Sequence, residues 1–165
     1  MLRDYLPTFH QLEPQNLKGL YAGDVVAQRP VAYTACGEVY GVATVSHNGA
    51  YFVENGVIMG LDEEAKLVNW TSGPMIVHFT EELPTILDAK GTFAVRCEED
   101  ETYPRGVILH AGDEFVTDNY VGSGSYAIVS SGILTVSTAN TSAKFAAMAD
   151  TLADGTAAYR FIYLG

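Results

Sequence analysis

The second half of the chain alternates short apolar runs with turns that centre on glycine, and this rhythm constrains the fold more than any other feature. The turns read Ala-Gly-Asp, Gly-Ser-Gly, Ser-Ser-Gly and Ala-Asp-Gly. The runs between and around them are Val107–Leu109, Glu114–Thr117, Ser125–Val129, Ile133–Ser137, Lys144–Met148 and Ala157–Leu164. Such spacing is typical of a β-sandwich or β-barrel. We therefore predict an all-β fold with under about 15% helix, well below the usual third.

The first half continues this pattern from Asp24 onward. Two pairs, Asn48-Gly49 and Asn55-Gly56, indicate tight turns, because both residue types tolerate the positive φ of a hairpin turn. The second pair predicts a hairpin between Ala50–Val53 and Val57–Leu61. Further strands are predicted at Val25–Ala27, Val31–Tyr33, Val39–Val45, Lys66–Trp70, Met75–Phe79 and Thr92–Arg96. Pro84 limits Glu81–Leu87 to one helical turn, so we expect roughly a dozen short strands and no long helix.

The chain of 165 residues is most simply a single domain. Folding at this size buries roughly 70% of the unfolded surface, so the core needs no disulfide or metal. The acidic loop Glu98–Pro104 marks a possible subdivision near residues 98–105 into two packed subdomains. We divide the chain into an N-terminal arm, residues 1–23, and a β domain, residues 24–165.

The arm differs in character from the rest of the chain. Pro7 and Pro14 prevent a long helix and favour extended backbone before them. A polar linker would lack the large apolar side chains that the arm carries, which are Tyr5, Leu6, Phe9, Leu12, Leu17, Leu20 and Tyr21. These side chains either cover the core of the chain's own β domain or bind another molecule. We take an intermolecular arm as the hypothesis, within a closed homo-oligomer that is a trimer or a dimer.

Charge and hydropathy exclude several classes of function. The net charge of −11, from 20 acidic and 9 basic residues, opposes nucleic-acid binding, since phosphate contacts need clustered Lys and Arg. We predict no membrane helix, because no run of about 18 apolar residues occurs. The opening residues have no apolar signal core, so we expect no Sec export.

The reactive residue types do not form the spacings that metal or catalytic sites need. The histidines are His10, His47, His78 and His110, and none stands at metal-ligand spacing. The carboxylate clusters Asp62-Glu63-Glu64, Glu81-Glu82 and Glu98-Glu99-Asp100-Glu101 lack the spacing of a calcium loop. Gly122-Ser123-Gly124-Ser125 has no following helix and therefore predicts a turn rather than a nucleophile elbow or phosphate loop. We predict no enzyme activity, no cofactor and no metal.

The two cysteines, Cys36 and Cys97, do not belong to a Cys-x-x-Cys pair. We interpret them as buried or half-buried thiols, since free cysteine is among the most buried residue types. A disulfide between them would require an oxidising compartment.

Three stretches together resemble a known class of proteins. They are Asp4–Pro14 with Tyr21–Gln28, Tyr103–Asn119, and Gly132–Val136 with Leu152–Phe161. The pattern is similar to small virion proteins of tailed bacteriophages, of the capsid decoration, cement or head-fibre type. The resemblance implies a structural protein of the virion, assembled in the bacterial cytoplasm, with the major capsid protein or another virion protein as partner. It carries over no site residue.

A carbohydrate-binding β module, from a phage fibre or a bacterial surface protein, is the alternative. Trp70 and the ten tyrosines favour it, because aromatic rings can stack against sugars. The competing interpretation of Trp70 is ordinary core packing, which is the commoner fate of a lone tryptophan in a β protein.

Overall fold

The computed structural model describes residues 10–17, 45–47, 50–61, 67–79, 85–87 and 106–165. These residues form strands and turns with no helix among them, which confirms the prediction of an all-β fold. The strands are β1 Leu12–Asn16, β2 Val45–His47, β3 Ala50–Val53, β4 Ile58–Leu61, β5 Leu67–Asn69, β6 Ile76–His78, β7 Thr85–Leu87, β8 Gly106–Ile108, β9 Glu114–Thr117, β10 Tyr120–Gly122, β11 Tyr126–Ser130, β12 Ile133–Ser137, β13 Phe145–Thr151 and β14 Ala157–Tyr163.

The described strands form three sheets. A seven-stranded sheet has the order β1-β9-β14-β13-β11-β12-β10, and a four-stranded sheet has the order β5-β4-β6-β8. A smaller sheet has the order β2-β3-β7. Neighbours are antiparallel except β10 and β12, which run parallel. None of these sheets closes into a barrel, and the seven- and four-stranded sheets instead share one core as a sandwich.

The core forms because each strand turns alternate side chains to one face. In β12, Leu134 and Val136 are buried between more exposed neighbours. Three buried phenylalanines lie at the centre, with ring centroids 5.7 to 6.0 Å apart: Phe115, Phe145 and Phe161. The four-stranded sheet adds Ile58, Met75, Val77 and Val107 to the same cluster. Each such side chain stabilises the fold by about 1.5–3 kcal/mol when fully buried.

Part of the predicted N-terminal arm belongs to this sandwich. β1 pairs antiparallel with β9, with Leu12 opposite Thr117 and Pro14 opposite Phe115. Pro14 is compatible with this position because β1 is an edge strand, which leaves one side of its backbone unpaired within the sheet. Leu12 is 5% exposed and Leu17 is fully buried, and both join the shared core. These two side chains therefore cover the chain's own core, the first of the two alternatives given for the arm.

The predicted hairpin across Asn55-Gly56 is wrong. β3 pairs with β2 and β7, whereas β4 pairs with β5 and β6, so the turn passes between two sheets. The reason is that Gly56 N–H donates to the carbonyl of His78 on β6, 2.9 Å away, and Glu54 and Asn55 are buried. The other Asn-Gly prediction is consistent with the structure, since β2 and β3 pair with His47 opposite Ala50.

Other differences from the sequence prediction are local. Residues 85–87 of the predicted helical turn Glu81–Leu87 form strand β7, because their extended backbone pairs with β3. Strand β10 was not predicted. The cysteines Cys36 and Cys97 and the possible boundary at 98–105 lie outside the described residues, although β8, after that boundary, pairs with β6, before it. The predicted strands Val25–Ala27, Val31–Tyr33 and Thr92–Arg96, and Val39–Val45 up to residue 44, also lie outside them.

The turn between β11 and β12 joins the two sheets of the sandwich. Ser131 and Gly132 have φ values of 49° and 79°, the left-handed conformations of a two-residue hairpin turn. The Gly132 carbonyl accepts a hydrogen bond of 2.8 Å from Ile58 N–H on β4. A Cβ atom added to Gly132 would lie 2.4 Å from Asn69 Oδ1, so a side chain here would force Asn69 to move.

We expect Gly132→Ala to lower the free energy of unfolding by about 1–3 kcal/mol, because positive φ and the contact with Asn69 both oppose a methyl group. Gly155→Ala is the matched control, since Gly155 has φ +85° but no atom within 4 Å of an added Cβ. Chemical denaturation should show the larger loss at Gly132. Equal losses would mean that the close approach to Asn69 contributes nothing.

Candidate functional site

Polar side chains converge where β1 enters the seven-stranded sheet. They come from three segments that are distant in sequence: the start of β1, the turn between β3 and β4, and the end of β9. We call this group the N-terminal clasp, and its members are His10, Gln11, Glu54, Asn55, Thr117, Asp118 and Asn119.

The first contact of the clasp is between His10 and Glu54. His10 Nδ1 lies 2.7 Å from Glu54 Oε2, and the His10 backbone N–H donates to Glu54 Oε1 at 3.2 Å. Glu54 is only 6% exposed, whereas the His10 side chain is 38% exposed. A buried carboxylate needs hydrogen-bond donors to offset its lost hydration. His10 supplies two of these donors, and the two hydrogen bonds fix His10 to the β3–β4 turn.

The second contact runs through the hydroxyl of Thr117, which is fully buried. This hydroxyl donates to the Gln11 carbonyl at 2.6 Å and accepts from Asn119 N–H at 3.1 Å. Gln11 N–H donates to Asp118 Oδ1 at 2.8 Å. The Asn119 side chain donates to the Asn55 carbonyl at 2.9 Å, which links the end of β9 to the β3–β4 turn. The backbone at the entry of β1 is therefore held on both sides by specific partners.

His78 supports the clasp from β6. Its backbone N–H donates to the Val57 carbonyl at 2.9 Å, and its carbonyl accepts from Gly56 N–H at 2.9 Å. Complete burial lowers the pKa of the imidazole from 6.5 to about 3, against the opposing effect of a hydrogen bond to the Glu54 backbone. The ring is therefore neutral at neutral pH. His78 holds the turn that presents Glu54.

The hydrogen bonds of the clasp hold the chain at His10 and Gln11 against the sandwich. Its hydroxyl group, on Thr117, is buried and already engaged in two hydrogen bonds. Within residues 10–17, 45–47, 50–61, 67–79, 85–87 and 106–165, no group of three or more His, Cys, Asp or Glu residues could hold a metal ion. The arrangement fixes the position of His10 and Gln11, the two residues before β1.

The structure describes the side chains of three of the four histidines, His10, His78 and His110. His10 and His78 lie in and beneath the clasp. His78 pairs with Gly106 at one end of the β6–β8 ladder, whereas His110 follows Leu109, whose N–H donates to Met75 at the other end. These two histidines therefore do not converge. His110 N–H donates to Asp113 Oδ2 at 2.8 Å in a local turn.

The residues of the predicted intermolecular arm divide into two groups. Leu12 and Leu17 are buried in the sandwich core beside the clasp. The other members lie outside the described residues: Tyr5, Leu6, Phe9, Leu20 and Tyr21. The carboxylate clusters at 62–64, 81–82 and 98–101 lie outside them as well.

Trp70, the candidate sugar platform, is engaged in the fold. Its Nε1 donates to the Gly73 carbonyl at 2.9 Å, and the side chain packs against the shared core. Lys144 Nζ lies 5.8 Å from the ring centroid, within range of a cation–π contact. The surroundings of Trp70 therefore agree with core packing, the competing interpretation of this residue.

A cluster of charged side chains lies on the outer face of the seven-stranded sheet, the face turned away from the shared core. Arg160 on β14 donates through Nε to Asp150 Oδ2 at 2.9 Å and also pairs with Glu114. The pKa of Asp150 is lowered, first by the Thr151 N–H and then by Arg160. Exposed pairs of this kind contribute little to stability. They do show that this part of the sheet is charged.

No protein-family model, curated protein or solved structure matches this chain. Over the part of the chain that the structure describes, no helix is long and apolar enough to cross a bilayer.

We expect Thr117→Val to lower the free energy of unfolding by about 1–3 kcal/mol, because the buried Gln11 carbonyl and Asn119 N–H both lose their partner. Valine has nearly the same shape, so the change isolates the hydroxyl. Thr151→Val, at an exposed position of β13, is the control and should have little effect. Urea denaturation of the three proteins measures the difference. Equal stabilities would show that the Thr117 hydrogen bonds do not hold β1.

We expect the stability of the fold to decrease as the pH falls from 6.5 toward 3, because the unfolded chain protonates His78 before the folded chain does. The neutral His78 ring contributes its full stabilisation above pH 6.5, the pKa of the imidazole in the unfolded chain. The free energy of unfolding should be about 2 kcal/mol lower at about pH 5 than at about pH 7.5.

The test compares the pH profile of the wild-type chain with those of His78→Gln and His110→Gln, since other groups also titrate in this range. The His78→Gln profile should be flatter, and the His110→Gln profile should follow the wild type. A wild-type slope retained in His78→Gln would contradict this assignment.

Proposed function

We propose that this protein is a structural component of a phage virion, a capsid decoration (cement) or head-fibre protein that binds the major capsid protein or another virion protein. The observation that carries the proposal is the N-terminal clasp. It attaches a segment with large apolar side chains to a sandwich at one defined point. The proposal rests also on the resemblance of the sequence to such proteins.

In this proposal the two groups of arm residues have different roles. Leu12, the first residue of β1, and Leu17, which follows the strand, anchor the segment because both are buried in the core. Tyr5, Leu6 and Phe9 precede the clasp in sequence and are the residues we assign to the partner. Full burial of one such side chain contributes about 1.5–3 kcal/mol, so burial of these side chains would support a stable contact. An anchor that fixes where the segment starts reduces the entropy lost on binding.

The charge of the chain suits a surface-bound protein of this kind. A net charge of −11 keeps copies soluble and separate until they meet a complementary surface. Acidic groups also steer a protein toward a basic patch and increase the association rate. The expected partner surface therefore combines an apolar groove for residues 1–9 with a basic surround.

We expect the full chain to cosediment saturably with purified capsids that lack it, in a fixed ratio to the capsid protein. A variant without residues 1–9 should lose at least about tenfold in affinity, because the assigned contact residues are gone. It should keep its stability, because β1 and the clasp remain. Deletion of residues 1–17 should instead destabilise the fold, since Leu12 and Leu17 leave the core.

Three results would decide against the proposal. Failure of the full chain to bind capsids would exclude the decoration role, and unchanged binding by the variant without residues 1–9 would exclude the arm. Saturable binding to a glycan array, lost in Trp70→Ala but kept without residues 1–9, would favour the carbohydrate-binding alternative.

A further inference from the structure

Charge is distributed very unevenly along the chain and across the seven-stranded sheet. Between Asp118 and Lys144 the sequence contains no Asp, Glu, Lys, Arg or His, although the chain as a whole has 20 acidic and 9 basic residues. This stretch contains β10, β11 and β12. In sheet order these are the last three strands, β11-β12-β10, so the uncharged residues occupy one edge of the sheet.

The remaining strands of the same sheet carry charged side chains. Glu13 lies on β1, Glu114 on β9, Asp150 on β13 and Arg160 on β14. The charged side chains of the sheet thus lie on β1, β9, β13 and β14, and the last three strands in sheet order carry none. We call the outer face and free edge of β10, β11 and β12 the uncharged surface.

Apolar side chains lie exposed on the uncharged surface. Val121 on β10 is opposite Thr135 on β12, and Thr135 is opposite Ile128 on β11, so the three form one row across the sheet. Val121 is 53% exposed and Ile128 is 38% exposed. They are two of the most exposed large apolar side chains among the described residues. Their inward neighbours, Leu134 and Ala127, are fully buried, so the row is on the face away from the core.

Within the part of the chain that the structure describes, the edge strand β10 lacks the usual protection against pairing. Proteins normally place charge, proline or a covering element on an exposed edge strand, because its free backbone groups can pair with another strand. β10 contains neither a charged residue nor a proline, and among the described strands it has only β12 as a neighbour. The surface next to it exposes apolar side chains and has no charged residues that would repel another chain.

We infer that the uncharged surface is a self-association surface, which binds the same surface of a second copy of this chain. Two copies with a net charge of −11 each repel one another over most approaches. β10, β11 and β12 themselves bring no carboxylate into such a contact. Antiparallel pairing of β10 with β10 of the second copy is self-complementary about a two-fold axis, which closes the contact as a dimer. The exposed row of Val121, Thr135 and Ile128 would then lie beside the same row of the second copy.

Sedimentation equilibrium of the purified full chain tests this inference independently of any capsid. We expect a reversible dimer, whose dissociation constant rises at least about tenfold in Val121→Lys and in Ile128→Lys. Leu164→Lys is the matched control, because Leu164 is 50% exposed and lies outside the uncharged surface. It should dimerise like the wild type. A chain that stays monomeric at its highest soluble concentration overturns the inference, as do variants that dimerise normally.

Hydrogen exchange locates the contact even if a lysine variant fails to fold. Amides of residues 119–136 in the wild-type chain should exchange more slowly as the concentration rises, whereas those of residues 152–165 should not change. Protection that appears only in residues 1–9 would place the contact in the arm and overturn the inference. Capsid binding by a strictly monomeric chain would leave the proposed function intact and reject this surface as a dimer contact.

Discussion

The contact between the buried carboxylate of Glu54 and His10 is the interaction on which the N-terminal part of this fold depends. It brings His10 to the β3–β4 turn, and His78 on β6 holds that turn in place. Because Glu54 is nearly inaccessible, the loss of its partners would leave an uncompensated charge, a defect that typically costs about 3–5 kcal/mol. This contact holds the chain two residues before β1, the strand that brings Leu12 into the core. The clasp therefore couples two sheets and the N-terminal segment into one unit.

The seven-stranded sheet has two ends with different physical character. At one end in sheet order, β1 carries the carboxylate of Glu13. At the other, short uncharged strands expose Val121 and Ile128, and among the described strands β10 has only β12 as a neighbour. The same inner face packs against the four-stranded sheet along both ends, so this difference concerns only the outer surface and the edges. β1 and β10 are the two outermost strands in sheet order, and Asn119 of the clasp directly precedes β10.

Local sequence signals predicted those elements that are determined locally. Glu114–Thr117 and Ile133–Ser137 were predicted with their observed bounds, because turns rich in glycine delimit each run. Local signals could not predict which strands the Asn55-Gly56 turn connects, nor that β1 joins the sheet. These features depend on partners far apart in sequence, such as Gln11 and Thr117, which are 106 positions apart. The clasp was missed because Glu54, Asn55 and Asn119 look like ordinary turn residues until distant segments meet. The absence of charge between Asp118 and Lys144 was visible in the sequence, but only the strand order shows that it falls on one edge.

The pairing of β1 with β9 has a consequence for synthesis of the protein. A ribosome makes β1 early and β9 only about 100 residues later, a delay of about 5–20 s at ordinary elongation rates. During that interval Leu12 and Leu17 have neither the strand nor the core that eventually buries them. The nascent chain must carry this apolar segment unpaired until the second half emerges. Closure of the sheet at β1 is therefore a late event, and the newly made chain is most exposed to aggregation or to chaperones before it occurs.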